Sequence, residues 1–218
     1  MNNEIQVTTT TTLRASKSYF LLKRFLDIFG ALCGLILLSP VFLIVGLLIK
    51  FEDANGVVFF RQIRVGKNGR QFYMYKFRSM CSNAEDLLDD LLKDNEVEGA
   101  MFKMKDDPRI TRIGRFIRKT SIDELPQLWN VLKGEMSLVG PRPPLLREVA
   151  EYTEYDMQRL IVTPGCTGLW QISGRSNLDF HQMVQLDLEY INSISLKSDV
   201  KILLKTVKVV FNHNNNAF

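Results

Sequence analysis

The most conspicuous pattern in the chain is an uncharged, almost wholly apolar run from residue 28 to residue 49. As an unbroken helix these 22 residues would extend about 33 Å, which is enough to cross the hydrocarbon core of a bilayer. The pair Ser39-Pro40 interrupts the run near its middle, and a proline removes one backbone donor from a helix. The pattern therefore predicts a membrane helix that is bent or broken at this pair.

Basic residues flank the apolar run on both sides. They are Lys17, Lys23 and Arg24 before it, and Lys50, Arg61, Arg64, Lys67 and Arg70 after it. Because positive residues mark the cytoplasmic side of a membrane, this arrangement favours a re-entrant hairpin with both ends in the cytoplasm. A kinked helix that crosses the bilayer once is the alternative, since neighbouring groups can satisfy a carbonyl freed by proline.

These signals divide the chain into three parts. Residues 1–19 include five consecutive threonines and few apolar residues, and they are expected to form a disordered cytoplasmic leader. Residues 20–50 form the re-entrant membrane helix, broken at Ser39-Pro40. Residues 51–218 form a cytoplasmic domain, and their length suits one compact unit.

A β-hairpin is predicted directly after the membrane segment. β-Branched and aromatic residues are frequent in residues 56–66 and 70–80, and Lys67-Asn68-Gly69 separates the two runs as a turn. Side chains alternate between the faces of a strand, so Lys76 and Arg78 share one face of the second strand.

Two later segments have the periodicity of amphipathic helices. In residues 110–120, arginines recur every three positions, with apolar residues opposite. The arginines are Arg112, Arg115 and Arg118, and the apolar residues are Ile113, Phe116 and Ile117. Such a stripe is either a solvated face or a binding surface for anions.

The second amphipathic segment covers residues 196–211. Its lysines are Lys197, Lys201, Lys205 and Lys208, and its apolar face carries Leu196, Val200, Leu203, Leu204, Val207 and Phe211. This pattern favours a helix that lies in an anionic membrane interface. A helix packed on the protein core is the alternative. Taken together, the patterns predict a mainly helical α+β fold, embedded in the membrane as a monotopic protein with one re-entrant helix hairpin, a small β-hairpin and interfacial amphipathic helices.

Composition narrows the classes of partner and of chemistry. The formal net charge is +4 and the sequence pI about 8.9, modest values that argue against a nucleic-acid partner. The basic residues are clustered instead, which favours anionic lipid or phosphate. Cys33, Cys81 and Cys166 are far apart and form no CxxC pair, so a reduced compartment without disulfides or a zinc site is expected. With only two histidines, a Ser-His-Asp hydrolase is a poor match.

Adjacent carboxylates, Asp123 and Glu124, stand at a predicted helix start. Ser121 and Glu124 fit a capping box, but that register places Pro126 where it deletes a helical hydrogen bond. With Asp123 as the N-cap, Pro126 falls in the first turn, where its missing N–H costs little. The helix dipole and nearby arginines would then favour the ionised carboxylate that a nucleophile requires. A purely capping role for Asp123 is the alternative.

Several longer motifs resemble one known family in content and in order. They are KFRSM, DPRITRIGR, RKTSIDELPQLWNVLKGEMSLVGPRP and PGCTGLWQISGR, and the resemblance runs from Lys23 to about Phe211. On these motifs the chain resembles the bacterial sugar transferases, the monotopic polyprenyl-phosphate phosphoglycosyl transferases. The resemblance implies a re-entrant helix broken at a Ser-Pro pair, which Ser39-Pro40 matches.

The resemblance also implies an activity, a mechanism and a metal. Members transfer a sugar 1-phosphate from a UDP-sugar to undecaprenyl phosphate and release UMP, by a ping-pong mechanism that uses Mg2+. By motif, Asp123 would attack the β-phosphate and become a phosphosugar-aspartyl ester, and Glu124 would help to hold Mg2+. A single magnesium ion with few protein carboxylates is bound mostly by substrate phosphates and water.

Seven further residues are expected to bind substrate, partly by motif and partly on physical grounds. They are Lys76, Arg78, Arg112, Arg118, Arg142, Arg175 and Asp187. Arg142 lies between two prolines and presents a rigid guanidinium for phosphate, with a structural turn as the alternative. Arg175 follows Gly174, which suits either a phosphate loop or a tight turn. Asp187 is expected either to pair with Arg118 or to act on the acceptor phosphate.

The sequence therefore predicts a catalytic domain that works at the cytoplasmic face of the bacterial inner membrane. The expected reaction primes exopolysaccharide, capsule or other surface-glycan synthesis from UDP-glucose or UDP-galactose. The chain lacks the extra N-terminal spans of larger members, so it is expected to be a minimal catalytic unit. A membrane-anchored Mg2+ phosphohydrolase and a non-enzymatic membrane scaffold are the rival hypotheses. The sequence leaves open whether the chain forms a homo-oligomer.

Overall fold

Helices form most of the structure, together with two small two-stranded sheets. The computed structural model describes residues 16–54, 56–84, 86–91, 93, 104, 106–174 and 178–211. Its helices are α1 (Lys17–Leu37), α2 (Ser39–Glu52), α3 (Leu88–Leu91), α4 (Arg112–Lys119), α5 (Gln127–Lys133), α6 (Leu146–Ala150), α7 (Glu154–Met157), α8 (Leu169–Ser173), α9 (Phe180–Asn192) and α10 (Leu196–Phe211). Its strands are β1 (Phe59–Val65), β2 (Gln71–Phe77), β3 (Ser137–Val139) and β4 (Gly165–Thr167).

The apolar run is broken where the sequence predicts, and α1 and α2 meet at an angle of 58°. Pro40 has no N–H to donate to the carbonyl of Ile36, and the Ser39 hydroxyl donates to that carbonyl instead, at 2.8 Å. Taken singly, no helix among the described residues has the length and apolar content to cross a bilayer. The bent pair has both, judged by length and composition alone. Helix α1 begins at Lys17, slightly before the predicted boundary, and most of the predicted leader lies outside the described residues.

The predicted β-hairpin is confirmed. Strands β1 and β2 pair antiparallel with Gln62 opposite Met74, and the turn between them holds Asn68 and Gly69 at φ of 55° and 77°. These left-handed values favour asparagine and glycine, which is why this pair can close the hairpin. Met74 is buried against α1 and α5.

A second, parallel pair of strands was not predicted. Strand β3 lies beside β4, and their backbones approach so closely that a Cβ on Gly165 would stand 2.1 Å from the nitrogen of Gly140. Each strand has only three residues, and other elements separate the two along the chain. Neither length nor alternation distinguishes such strands from loops in a sequence.

Helix α1 is bonded to α5 and β3 through two charged side chains. The Arg24 guanidinium donates to the carbonyls of Val131 and Leu132 at 2.6 and 2.8 Å, which satisfies the C-terminal end of α5. One turn further along, the Asp27 carboxylate accepts the backbone N–H of Leu138 at 2.9 Å. The apolar segment is therefore attached to α5 and β3 by directed bonds as well as by packing.

The C-terminal helix α10 divides its apolar residues between two environments. Ile202 is buried in the core, whereas Val200, Leu204 and Val207 are exposed. The buried Asp199 accepts bonds from Tyr19, Lys23 and Tyr190, which joins α10 to α1 and α9. The core-packed alternative thus describes one side of α10, and the exposed side is free for another environment.

The predicted faces of α4 need one correction. Ile117 is buried beneath the helix as expected, but Phe116 is 56% exposed and does not share the buried face. Gly114 is essential to this packing, because a Cβ there would lie 2.0 Å from the carbonyl oxygen of Ser79.

Exposed apolar side chains are concentrated on the bent helix pair. The largest exposures on it belong to Leu21, Phe25, Ile36, Leu37, Leu43 and Phe51. A continuous apolar surface of this kind marks a contact with lipid or with another protein.

Asn130 on α5 joins that helix to the hairpin. Its fully buried amide donates to the carbonyl of Tyr73 at 2.7 Å and accepts the N–H of Tyr75 at 3.0 Å. The side chain therefore bonds to β2 as a neighbouring strand would, and it also donates to Glu135 at 2.7 Å. These bonds fix the distance between α5 and β2.

We expect Asn130→Ala to lower the free energy of unfolding by about 2–4 kcal/mol, because it leaves buried backbone groups of β2 unsatisfied. The corresponding fall in melting temperature is about 5–10 °C, measured by thermal unfolding in one detergent. Asn83→Ala, at an exposed position, is the matched control and should change the melting temperature little. Equal melting temperatures for the two variants would contradict this role of Asn130.

Candidate active site

The adjacent carboxylates lie on a short 3₁₀ turn, Ile122–Glu124, between α4 and α5. Ser121 precedes the turn at a left-handed φ of 56°, and α5 begins only at Gln127 with Pro126 as its N-cap. Neither predicted cap is present: the Ser121 side chain bonds no helix N–H, and Asp123 lies inside the turn. The turn thus points Asp123 towards the protein interior, where it is 6% exposed.

The turn packs against helix α2. Ile122 and Leu125, on either side of the carboxylates, pack against a cluster that includes Val45 and Ile49 of α2 and the hairpin residue Phe77. The position of Asp123 is therefore set by the same helix that forms the second half of the apolar run.

The environment of Asp123 alters its acidity in the direction opposite to the one predicted. Burial raises the pKa of Asp123 to about 6, and the nearby Glu124 charge adds to this, against the opposing effects of Lys76 and Arg118. The helix-dipole part of the prediction was wrong because Asp123 does not cap a helix. The nearby Arg118 does favour the ionised carboxylate, as expected, but burial has the larger effect. Even so, a carboxyl with a pKa near 6 is mostly ionised at neutral pH.

Glu124 faces Lys76 on β2. The Lys76 ammonium lies 2.7 Å from Oε1 of Glu124, and both side chains are partly exposed. Burial raises the pKa of Glu124, but the charge and hydrogen bond of Lys76, together with Arg142 and Arg64, leave it below its ordinary value. Glu124 is therefore the accessible, ionised member of the pair.

Arg118 lies beside Asp123 at the end of α4. Its Nε donates to the hydroxyl of Ser79 at 3.0 Å. Burial lowers the pKa of Arg118, and the charges of Asp123 and Asp107 act against that effect. The structure thus places Arg118 next to the carboxylate, as the sequence predicts.

Arg142 comes from the proline-rich segment that follows β3. The backbone of this segment is bonded on two sides, by Val65 N–H to the Pro144 carbonyl at 2.9 Å and by Gly165 N–H to the Pro141 carbonyl at 2.8 Å. The Arg142 side chain lies 3.8 Å from the buried Glu148 carboxylate. It is therefore presented from a fixed backbone.

Lys76, Glu124 and Arg142 line a pocket between the hairpin, the carboxylate turn and β4, whereas Asp123 and Arg118 are not in its lining. The pocket is lined by Met74, Lys76, Glu124, Gln127, Arg142, Pro143, Gly165, Cys166 and Gln171. Two cations, one carboxylate and two amides thus face one concave surface, an arrangement suited to a polar anionic ligand.

Sequence reasoning missed two residues of this site. Arg64 is buried, donates to the Pro143 carbonyl at 3.1 Å and interacts electrostatically with Glu124. Gln127 is 3% exposed and lines the pocket. The hairpin register contained a signal for Arg64, because it places this residue on the same face as Lys76. Gln127 carried no comparable signal.

Three predicted site residues lie elsewhere or are not described. Arg78 is buried and pairs with Asp53 at the end of α2. The Arg112 side chain is exposed, and its backbone N–H donates to Glu52 at 2.8 Å. Arg175 lies outside the described residues.

Asp187 on α9 forms a buried pair, but with a different partner from the predicted one. It accepts a hydrogen bond from Arg159 rather than from Arg118, so the predicted pairing was wrong. Burial raises the pKa of Asp187 to about 6, against the charges of Arg159 and Arg142. Asp187 is therefore a buried partner of Arg159, and it interacts only electrostatically with Arg142.

Comparison with known proteins identifies what this arrangement resembles. The sequence profile described as bacterial sugar transferase matches residues 18–213, nearly the whole chain. This agrees with the resemblance inferred from the segment that carries Asp123.

Three curated relatives illustrate the range of the similarity. The chain is 55% identical over 194 residues to the galactosyl transferase CpsE of Streptococcus agalactiae serotype III (strain NEM316), covering 88% of this chain and 43% of CpsE. It is 43% identical over 204 residues to the undecaprenyl-phosphate glucose phosphotransferase of Komagataeibacter xylinus, covering 88% of this chain and 36% of that protein. It is 43% identical over 192 residues to the exopolysaccharide production protein ExoY of Sinorhizobium fredii (strain NBRC 101917 / NGR234), covering 86% of this chain and 84% of ExoY. The chain thus spans less than half the length of the first two.

The raised pKa of Asp123 predicts a pH-dependent cost in stability. Between about pH 4 and pH 6 the folded state binds a proton that the unfolded state has lost, so stability falls as the pH rises through this window. We expect Asp123→Asn to raise the free energy of unfolding by roughly 1–3 kcal/mol at pH 8 and by little at pH 4. Thermal unfolding at both pH values measures this, and Asp123→Ser should follow the same trend. A difference that is equal at the two pH values would contradict it.

Proposed function

The chain belongs to the bacterial sugar transferase family, and we propose that it transfers a sugar 1-phosphate from a UDP-sugar to undecaprenyl phosphate. The donor is UDP-galactose or UDP-glucose, and the products are UMP and undecaprenyl-diphosphate-sugar. The reaction primes the synthesis of exopolysaccharide, capsule or another surface glycan. The names of the relatives support the sugar and the acceptor.

One observation carries the proposal: a buried, ionisable carboxylate stands beside a cationic pocket. Asp123 supplies the nucleophile, and Lys76, Arg118 and Arg142 supply positive charge around it. Both proposed substrates are polyanions, so these cations offset their repulsion from each other and from Asp123. Water has little access to Asp123, which favours transfer to a phosphate over hydrolysis.

The proposed reaction has two displacements at the same phosphorus. An Asp123 oxygen forms a bond to the β-phosphorus of the donor. The bond between the β-phosphorus and the oxygen that bridges the two phosphates breaks, and the bridging oxygen leaves as part of UMP. The phosphosugar is then esterified to Asp123. A phosphate oxygen of undecaprenyl phosphate bonds to the same phosphorus, and the Asp123 carboxylate leaves. Arg118, beside Asp123, orients the carboxylate through both displacements.

Mg2+ is the proposed cofactor, and Glu124 is the residue that would hold it. The described residues contain no group of three or more metal-ligating side chains, and Glu124 is ionised and partly exposed. This donor set fits a magnesium ion bound mainly by substrate phosphates and water rather than by a protein cage. When bound, the ion neutralises charge on the diphosphate and so assists departure of UMP.

We further propose that α1 and α2 form a re-entrant hairpin in the cytoplasmic leaflet of the inner membrane. The 58° bend, the exposed apolar surface of both helices and the basic residues on both sides support this topology. The exposed side of α10, with Leu204 and Val207 beside its lysines, is proposed to lie in the same interface. Asp123 would then stand near the depth of a lipid phosphate.

The activity is tested by UMP release with undecaprenyl phosphate in nanodiscs and a panel of UDP-glucose, UDP-galactose and UDP-N-acetylgalactosamine. We expect lipid-dependent UMP release with a hexose donor, and a loss of at least about 10³-fold in Asp123→Asn, because an amide is not a nucleophile here. Asp90→Asn, an exposed carboxyl on α3, should keep full activity. UMP release that ignores the lipid would indicate a phosphohydrolase, and no release with any donor would refute the proposal.

The topology is tested with single cysteines placed at Lys17 and Val57 in a chain whose three native cysteines are replaced by serine. A re-entrant hairpin predicts that a membrane-impermeant thiol reagent labels both positions in inside-out vesicles and neither in right-side-out vesicles. Labelling of position 17 from the outside and position 57 from the inside would establish a single crossing instead.

A further inference from the structure

The two adjacent carboxylates are outnumbered by the cations around them. Glu124 interacts with Lys76, Arg142 and Arg64, and Arg118 interacts with both carboxylates. Other carboxylates offset part of this positive charge, since Glu148 lies near Arg142 and Asp107 interacts with Arg118. The charged side chains that line the pocket itself are Lys76, Arg142 and Glu124, which leaves an excess of one positive charge there. A free divalent cation entering this site is repelled by the excess positive charge, whereas a diphosphate is attracted.

Lys76 also takes the place that a metal would need on Glu124. Glu124 is the accessible member of the pair, with a side chain 41% exposed, and Asp123 is buried. The Lys76 ammonium lies 2.7 Å from the Glu124 carboxylate, and its side chain is 23% exposed. Among the described residues no third carboxylate, histidine or cysteine joins the pair to offer a metal another contact.

We infer that Lys76 prevents a divalent metal from binding the unliganded protein, so that the metal enters only together with the diphosphate of the donor. This inference rests on the proposed function for the identity of the diphosphate. The bound donor adds negative charge to the site. Lys76 would then contact the diphosphate instead of Glu124, and the Glu124 carboxylate would be free to hold the metal. Lys76 thus has two roles, as a counter-ion before binding and as a phosphate ligand afterwards.

Lys76 differs from Arg118 and Arg64 in how its side chain is held. Arg118 donates to Ser79, and Arg64 donates to a backbone carbonyl, so the hydrogen bonds of both hold them to the protein. The long, flexible side chain of Lys76 is bonded only to Glu124 among the described residues, and it can exchange one anion for another without disturbing the fold.

The test is direct measurement of metal binding, with Mn2+ as a spectroscopic substitute for Mg2+ and the loss of the free-ion EPR signal as the readout. The full chain in detergent is titrated with Mn2+ alone and with Mn2+ plus UDP, against UDP blanks without protein. We expect the unmodified protein to bind Mn2+ only when UDP is present. Lys76→Met should bind Mn2+ alone at least about tenfold more tightly than the unmodified protein, because Glu124 is then without its counter-ion.

Two variants serve as controls. Lys76→Arg keeps the positive charge and should exclude Mn2+ as the unmodified protein does. Lys133→Met removes the lysine of another Lys-Glu pair, in which Nζ of Lys133 lies 2.6 Å from Oε1 of Glu135. This variant should leave Mn2+ binding unchanged.

Saturable binding of Mn2+ by the unmodified protein in the absence of UDP would overturn the inference, and so would binding of Mn2+ by a folded Lys76→Met no tighter than by the unmodified protein. The titration of the unmodified protein decides this point even if a variant does not fold. Failure of UDP to bind, with or without Mn2+, would instead count against the proposed function. The inference about Lys76 would still be tested, because the titrations with Mn2+ alone contain no nucleotide.

Discussion

The bend at Ser39-Pro40 is the constraint on which the geometry of the site depends. It turns one apolar segment into two helices that support different parts of the protein. Helix α1 holds α5 and β3 through Arg24 and Asp27, and α2 packs under the turn that carries Asp123. A straight helix could not make both sets of contacts, since its second half would point away from the Asp123 turn. The element that would anchor the protein in lipid is therefore also the one that positions its carboxylates.

The electrostatics of the site follow from how that turn is buried. Asp123 is taken out of water, which raises its pKa, while Glu124 stays accessible and is balanced by Lys76. Two neighbouring carboxylates thus acquire different properties from their surroundings, and these suit Asp123 to its proposed role as nucleophile and Glu124 to its proposed role as a site for cations. The surrounding cations keep Asp123 ionised at neutral pH despite its burial. This balance has a cost in stability, because an ionised carboxylate is retained in a poorly solvated position.

The sequence predicted those features that depend on local chemistry. The Ser-Pro break, the Asn-Gly turn of the hairpin and the helical periodicity of α4 are set by residues close together in the chain, and all three are present. The predicted N-cap at Asp123 failed because Ser121 adopts a left-handed conformation that capping rules do not anticipate. The pairing of Asp187 with Arg159 and the short parallel strands were not predicted, for another reason. They depend on contacts between distant parts of the chain, and a single sequence carries no local signal for them.

A site of this kind must keep a carboxylate reactive towards its substrate and must avoid hydrolysis by water. The low exposure of Asp123 limits the approach of water. The contact of Lys76 with Oε1 of Glu124 limits the binding of a metal, which could activate a water molecule. Under the proposed function only the second restriction is relieved, when a diphosphate brings negative charge into a pocket with excess positive charge. Charge balance in the pocket then depends on the substrate rather than on the protein alone. The proposed priming reaction benefits from this dependence, because the donor itself then brings the charge that completes the site.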